Sequence, residues 1–92
     1  MELVRFAVAV DVMPKEGIAD PQGQTIERAL PSLGFPGVHD VRVGKRIELT
    51  VEAPDPETAQ AVVRAACIRF LANPVIEDFR VHLPEPAAGA PA

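Results

Sequence analysis

Aromatic residues are scarce in this chain of 92 residues, which has no Trp, no Tyr and only four Phe. Its core must therefore be built from aliphatic side chains, because the large rings that anchor many cores and interfaces are missing. A single domain of this size buries roughly 60–65% of the surface that its unfolded chain exposes. Folding is thus marginal for a monomer, and self-association would relieve the shortage of buried surface.

Cysteine occurs only once, at Cys67, so an intrachain disulfide is excluded. Apolar runs are short, and none approaches the roughly 20 residues that a membrane-spanning helix needs. Nine Lys and Arg stand against thirteen Asp and Glu, and the net charge of −4 disfavours sequence-independent binding to nucleic acid. The chain opens on a charged, strand-like segment rather than on an apolar signal run. Together these features predict a cytoplasmic protein that binds neither nucleic acid nor a membrane.

The hydrophobic pattern predicts strands that alternate with helices. Apolar residues recur with period two over residues 4–12, at helical spacing over 26–33, and again at odd positions over 38–53. A second helix begins at the pair Asp55-Pro56, and residues 75–83 alternate once more. This order predicts an α+β fold, a two-layer sandwich of an antiparallel sheet with both helices on one face, close to the ferredoxin-like plan.

Both helices carry stop signals. Pro31 lies inside the apolar stripe of the first helix, so a kink or a tightened last turn is expected there, and Gly34 should end the helix. This stripe is suited to lying on the sheet. The stripe of the second helix runs from Ala59 to Phe70, and Pro74 prevents its continuation.

The middle segment, residues 38–53, leaves its connection open. A two-residue hairpin at Gly44-Lys45 would mix apolar and charged side chains on each face of the sheet. A long strand bent at Gly44, or a hairpin with residues 44–46 in its loop, would keep the odd positions together. The pattern does not choose between the last two.

The folded domain is expected to cover residues 1–83. The segment that follows, residues 84–92, reads PEPAAGAPA and contains almost nothing that can be buried. It is therefore predicted to be a disordered tail.

No catalytic, cofactor-binding or metal site is predicted. Cys67 lies beside the apolar stripe of the second helix, where a cysteine usually acts as a small hydrophobic residue. His39 and His82 lie far apart and have no metal-ligand spacing. Glu77 and Asp78 are neighbours on a strand and point to opposite faces, so they cannot work as an acid/base pair.

The stretch DPQG, residues 20–23, combines two signals. Asp20 and Pro21 are ordinary helix-starting residues, and the same pair recurs at the start of the second helix. Gly23 is different, because glycine in a first turn costs helix stability relative to alanine. Its presence predicts a close approach to the backbone by a ligand or another chain. The spacing of a nucleotide-binding P-loop is absent.

Four stretches occur together in order: DPQG at 20–23, ALPSLGF at 29–35, VRVGKRIEL at 41–49 and LANPVIEDF at 71–79. With them the chain resembles the PurS family, the small subunit of phosphoribosylformylglycinamidine synthase, over residues 4–83. The resemblance implies a PurS-like fold and a noncatalytic subunit in de novo purine biosynthesis. In that family PurL binds ATP and formylglycinamide ribonucleotide, PurQ hydrolyses glutamine to ammonia, and PurS self-associates and joins the two.

The resemblance further implies that this chain binds no cofactor itself, while the complex uses ATP, Mg²⁺ and glutamine. Its implied partners are PurL, PurQ and further copies of the chain, as a homodimer or tetramer. The candidate subunit-interface residues among the matched positions are Asp20, Gln22, Gly23, Arg42, Gly44, Lys45, Asn73 and Pro74. With a neighbouring subunit expected at Gly23, a Gly23→Val variant should leave the isolated fold largely intact and weaken assembly.

A second hypothesis is a regulatory module of the ACT type, which shares the predicted fold and binds a small molecule. Its ligand would lie near the glycine-containing loop between the first strand and the first helix, residues 17–23. Saturable binding of an amino acid or a nucleotide by the isolated chain would favour it. An acylphosphatase-like enzyme is disfavoured, because the loop after the first strand contains no Arg.

Overall fold

The structure is a computed structural model that describes residues 2–87. Its regular elements, in chain order, are β1 (Val4–Pro14), α1 (Pro21–Ala29), a 3₁₀ turn (Pro31–Leu33), β2 (Lys45–Ala53), α2 (Pro56–Ala66), a π-helical turn (Cys67–Leu71), β3 (Glu77–Val81) and β4 (Glu85–Pro86). None of the helices within this described part is long and apolar enough to cross a membrane.

The sheet is antiparallel, with β1 at its centre. On one side β2 pairs with β1 along its whole length, from Val12 opposite Lys45 to Val4 opposite Ala53. On the other side β3 pairs with the end of β1, and β4 pairs with Phe6 and Ala7 nearer its start. β3 and β4 therefore occupy one lane of the sheet, and the predicted α+β class is confirmed.

The core lies between the sheet and α2. The even-numbered side chains of β1 point to this face, and Phe6, Val8, Val10 and Val12 are all buried. From α2 and the turn after it, Ala59, Val63 and Cys67 follow at intervals of four residues and are fully buried. Apart from Phe6 and Cys67, the buried side chains of the core are aliphatic, as the composition requires. The opposite face of the sheet carries the polar residues of the same strands.

The first helix ends as predicted, but its apolar stripe packs differently. Regular α-helix stops at Ala29, the 3₁₀ turn follows at Pro31, and Gly34 closes it with φ of 96°. Ile26 is 39% exposed and Leu33 68% exposed, so the stripe expected on the sheet is largely solvent-facing in the monomer. The reason is the attachment of α1, which is fixed through its polar residues to the segment before β2.

Residues 38–44 form neither a hairpin nor the first half of a bent strand. The strand β2 begins at Lys45, and the segment before it makes no ladder with β1. The backbone N–H groups of Val41 and Val43 donate to carboxylates of α1 instead. Both connections left open by the sequence pattern are therefore wrong.

Two further expectations need correction. Phe70 was expected on the buried stripe of α2 and is 87% exposed. The last turn is π-helical, closed by the Ala72 N–H donating to the Cys67 carbonyl at 3.0 Å, and this wider turn rotates Phe70 off the stripe. The tail predicted as disordered from residue 84 pairs with β1 at Glu85–Pro86. Residues 88–92 of that tail lie outside the described residues.

Replacing Val63 by alanine tests the position of the core. Val63 is fully buried under the sheet, so losing two methyl groups and leaving a cavity should lower the free energy of unfolding by about 2 kcal/mol. The matched control is Val62→Ala on the same helix, where the side chain is 50% exposed and the change should be below about 0.5 kcal/mol. Urea denaturation of both variants measures the difference, and equal losses would contradict this packing.

Candidate functional site

Most of the candidate interface residues gather at one end of the sheet, where β1 ends and β2 and β3 begin. Val12 of β1 lies opposite Lys45, and Pro14 lies opposite Glu77. The segment 41–43 joins this end to the start of α1. We call the three stretches 20–23, 41–45 and 73–78 the motif end. Sequence motifs that are more than 50 residues apart therefore form one continuous region.

The Asp20 carboxylate connects two parts of the motif end. One oxygen, Oδ1, accepts a hydrogen bond from the Gly23 N–H at 3.0 Å and caps α1. The other, Oδ2, accepts one from the Val43 N–H at 2.9 Å. Two turns further along α1, Glu27 Oε1 accepts a hydrogen bond from the Val41 N–H at 2.9 Å. Two carboxylates on one side of α1 thus hold the strand-like segment that leads into β2.

These hydrogen bonds also set the electrostatics of Asp20. The N–H groups of Val43 and Gly23, with the nearby charge of Arg42, lower the pKa of the Asp20 carboxyl below its usual value. Partial burial acts in the opposite direction and is outweighed. The cap of α2 behaves alike, since hydrogen bonds from Thr58 lower the pKa of Asp55. Asp20 differs because its partners belong to two separate segments.

The close approach predicted at Gly23 is real, but its source lies within the chain. A Cβ atom built on Gly23 would lie 2.5 Å from the Val41 carbonyl oxygen and would overlap the Asp20 carboxylate. The backbone there is covered by segment 41–43 and is not open to another subunit. The same contact removes the space that a small ligand would need at Gly23, so the geometry disfavours the position expected of an ACT-type ligand.

Gly44 is also required by contacts inside the chain. A Cβ atom on Gly44 would overlap the Met13 sulfur and the Val12 carbonyl oxygen. Segment 41–44 therefore passes directly over the end of β1, and only a residue without a side chain fits at this point. Gly23 and Gly44, the two glycines of the motif end, therefore allow close packing within the chain and do not expose bare backbone to a binding partner.

The LANPVIED motif forms a closed turn before β3. Asn73 Oδ1 accepts a hydrogen bond from the Val75 N–H at 3.1 Å, and the Asn73 N–H donates to Glu77 Oε1 at 2.7 Å. The Glu77 backbone N–H donates a hydrogen bond to the Asn73 carbonyl oxygen at 2.7 Å. Beside this turn, Lys15 and Asp78 form an exposed salt bridge of 2.8 Å that links the ends of β1 and β3.

The motif end nevertheless presents side chains to solvent. Gln22, Arg42, Lys45, Asn73 and Pro74 are all exposed, whereas Asp20 and Gly23 are engaged within the chain. The exposed set combines amides, cations and an apolar ring, a mixture suited to a protein contact. Within residues 2–87 no three His, Cys, Asp or Glu side chains lie close enough to hold a metal ion.

A second polar cluster was not recognised from the sequence. On the open face of the sheet, the His82 Nε2 lies 2.6 Å from Asp11 Oδ2, and an Arg46 nitrogen lies 3.7 Å from Asp11 Oδ1. His82 and Arg46 both lower the pKa of Asp11, chiefly through the histidine hydrogen bond. The cluster borders a shallow groove of about 550 Å³ floored by Ala7 and Ala9. The sequence feature that could have indicated this cluster is Asp11, a charged residue within a largely apolar strand.

Comparison with known proteins identifies related chains. A family model described as PurS, phosphoribosylformylglycinamidine (FGAM) synthase, matches residues 7–85. The phosphoribosylformylglycinamidine synthase subunit PurS of Bacillus subtilis is 42% identical over 83 residues, covering 90% of this chain and 98% of that protein. The subunit PurS of Thermotoga maritima is 44% identical over 78 residues, covering 84% of this chain and 94% of that protein.

Solved structures agree with these sequence relationships. The crystal structure of the Thermotoga maritima purS subunit superposes with a TM-score of 0.82 at 40% identity, covering 90% of this chain and 95% of that chain. A chain from the structure of PurLQS of Thermotoga maritima superposes with a TM-score of 0.79 at 40% identity, covering 86% of this chain and 96% of that chain.

Replacing Asp20 by asparagine tests the hydrogen bonds that its carboxylate accepts from Gly23 and Val43. The amide retains one oxygen acceptor but turns an NH₂ group toward a second N–H, so the variant should be less stable at pH 7. Because the folded pKa of Asp20 is lowered, its stabilisation is present above the unfolded pKa of about 4 and is lost as pH falls through the folded value. The difference between variant and parent in urea should therefore shrink toward pH 2.

Asp55→Asn is the matched control for that experiment. Asp55 also caps a helix, but the hydrogen bonds to its carboxylate come only from the first turn of that helix, chiefly from Thr58, and asparagine is an equally good cap. Its destabilisation at pH 7 should be the smaller of the two. Equal effects would show that the bond from Asp20 to Val43 contributes nothing beyond capping.

A Gly23→Ala variant tests the intrachain contact. The added methyl group must displace the Val41 carbonyl or the Asp20 carboxylate, so overpacking should lower the free energy of unfolding by about 1 to 3 kcal/mol. In the Gly37→Ala control nothing lies within 4 Å of the new atom, and stability should change little. This replaces the expectation that Gly23→Val leaves the isolated fold intact. Unfolding of both variants as isolated chains provides the measurement.

Proposed function

The chain belongs to the PurS family, and from that premise we propose that it is the noncatalytic assembly subunit of phosphoribosylformylglycinamidine synthase. The observation that carries the proposal is its likeness, in sequence and in fold, to the small subunit of the PurLQS assembly. In this role it bridges a synthetase subunit of the PurL type and a glutaminase subunit of the PurQ type. Its contribution is to bring the two into contact so that ammonia passes between them.

The chemistry of the chain fits a bridging role. Its one thiol, Cys67, is fully buried, and burial raises the pKa of that thiol, which disfavours the nucleophilic thiolate. The exposed residues of the motif end can form a docking surface but carry no activated nucleophile. ATP, Mg²⁺ and glutamine are on this proposal used by the partner subunits.

Self-association belongs to the same proposal. Large apolar side chains are exposed on the monomer, among them Leu33, Phe35, Phe70, Val75 and Leu83. Exposed apolar surface on this scale marks protein contacts, and the small aliphatic core gains from further burial. We therefore expect the chain to function as a homo-oligomer within the larger complex.

A cytoplasmic location accompanies the proposal. The chain keeps a free buried cysteine, and thiols persist reduced in the cytoplasm. Purine biosynthesis by the proposed complex would take place in the same compartment.

Omitting the chain from a reconstituted complex tests the proposal. With PurL and PurQ partners, formylglycinamide ribonucleotide, ATP and Mg²⁺ present, glutamine-dependent product formation should fall at least tenfold without it. An ammonium salt in place of glutamine should restore product formation, because free ammonia bypasses the transfer between subunits. Full glutamine-dependent activity without the chain would refute the assembly role.

The motif end can be tested in the same assay. An Arg42→Glu variant reverses one exposed charge at the proposed docking surface and should weaken binding of PurL or PurQ by roughly tenfold. Arg69→Glu, exposed on the turn after α2, is the matched charge reversal and should bind as the parent does. Pull-down titrations with each partner measure both variants, and an equal loss in the two would locate docking elsewhere.

A further inference from the structure

A cleft lies between α1 and the loop that follows it, and we call it the α1 cleft. One wall is a single face of the helix, whose residues at the spacing i, i+3 and i+4 are Gln24, Glu27 and Arg28. The other wall is the returning loop, with the lining residues Pro36, Val38 and His39. The enclosed space is about 430 Å³, a volume typical of sites for small molecules.

The two walls are held together by hydrogen bonds at both ends of the loop. Where the loop leaves the helical segment, the Phe35 N–H donates to the Leu30 carbonyl at 3.0 Å. Where it returns, the Val41 N–H donates to Glu27 Oε1 at 2.9 Å. Between these bonds Asp40 has a φ of 59°, a left-handed conformation that is uncommon outside glycine. Backbone outliers of this kind concentrate at functional sites.

Most polar groups of the α1 cleft have no partner inside the chain. Within residues 2–87, the side chains of Gln24, Arg28 and His39 make no hydrogen bond or ion pair. Glu27 uses Oε1 for Val41, and no donor of this part of the chain reaches its Oε2. A carboxylate oxygen and a guanidinium group therefore border the same space and remain able to bind a ligand.

The charges of the cleft favour a ligand that carries both signs. A simple anion would be attracted by Arg28 and repelled by Glu27, and a simple cation would meet the reverse. An α-amino acid satisfies both residues, because its ammonium and carboxylate groups are attached to one carbon atom. The ammonium group pairs with the Glu27 carboxylate, and the guanidinium group of Arg28 binds the carboxylate in the bidentate manner typical of arginine.

The remaining lining residues indicate the side chain of such an amino acid. Pro31, Pro36 and Val38 supply an apolar wall that suits methylene groups. The Gln24 amide both donates and accepts hydrogen bonds, so it matches a terminal amide on the ligand. This combination fits a short methylene chain that ends in an amide.

We propose that the α1 cleft binds a free α-amino acid of the glutamine type. The site is separate from the loop 17–23, which segment 41–43 closes at Gly23. Binding at the α1 cleft goes beyond the assembly role and does not depend on it. On the proposed function the complex consumes glutamine, so an occupied cleft would make the small subunit responsive to the supply of that nitrogen donor. Only this regulatory consequence rests on the proposed function.

Titration of the full chain with L-glutamine tests the site. Isothermal calorimetry should record saturable binding, and the amide signals that shift in NMR spectra should belong to residues 24–28 and 38–41. Absence of saturable binding up to the solubility limit of glutamine would overturn the proposal. Shifts confined to other residues, including 17–23, would overturn it as well.

Two analogues test the recognition of both charges. Glutaramate lacks the α-ammonium group, and L-glutaminamide lacks the α-carboxylate. Each should bind roughly tenfold more weakly than L-glutamine, because each loses one charge-assisted hydrogen-bonded contact. Equal binding of either analogue would refute the assignment of a zwitterionic ligand.

Two variants test the residues that recognise these charges. Glu27→Gln removes the charge and keeps an oxygen acceptor for the Val41 N–H, and Arg28→Ala truncates an exposed side chain. Both should remain folded in urea titrations and bind L-glutamine roughly tenfold more weakly. Arg69→Ala, exposed on the turn after α2, is the matched control and should bind as the parent does. Unchanged binding by Arg28→Ala, or an equal loss in Arg69→Ala, would contradict the proposed site.

These titrations use the chain without PurL or PurQ, so they are independent of the reconstituted synthase. A chain that fails to bind glutamine would leave the assembly role standing. Full glutamine-dependent activity without the chain would refute the assembly role and leave the α1 cleft standing.

Discussion

The arrangement of the motif end depends on a single carboxylate. Asp20 caps α1 with one oxygen and holds the Val43 N–H with the other, so the start of the helix and the path into β2 are fixed by the same group. Three other features of the motif end follow from these two hydrogen bonds. Segment 41–43 covers Gly23, and Gly44 packs closely against the end of β1. The strand β2 begins only at Lys45, after the hydrogen bond that holds Val43. Hydrogen bonds from two N–H groups keep this carboxylate ionised and suited to the task.

Much of the body of the fold could be predicted from the sequence, because it follows from local periodicity. The buried row of β1, both aspartate caps, the tightened turn at Pro31 and the left-handed Gly34 each depend on residues within a few positions of one another. The segment 38–44 could not be predicted in this way. Its apolar residues alternate like those of a strand, yet its N–H groups bond to side chains 14 and 23 residues away.

The candidate site shows a similar division. The glycine at position 23 correctly indicated a close approach, but a pattern cannot say which atoms approach, and they proved to be those of Val41 and Asp20. Likewise the LANPVIED residues keep a turn closed. Family resemblance indicated the role of the whole chain, while the geometry divides its matched residues into those engaged within the fold and those exposed for contact. The Asp11–His82 pair escaped notice because its members are 71 residues apart.

Because α1 is attached differently from α2, the molecule has two parts that differ in local stability. The sheet and α2 share a buried apolar layer, whereas α1 is tethered mainly by directional polar bonds and keeps its own apolar stripe in water. Such a unit opens at a lower free energy than the rest of the protein, and its amide protons exchange with solvent sooner. A partner that covers Ile26 and Leu33 would then suppress this local opening of α1. Binding would make the helix more rigid as well as bury its apolar side chains.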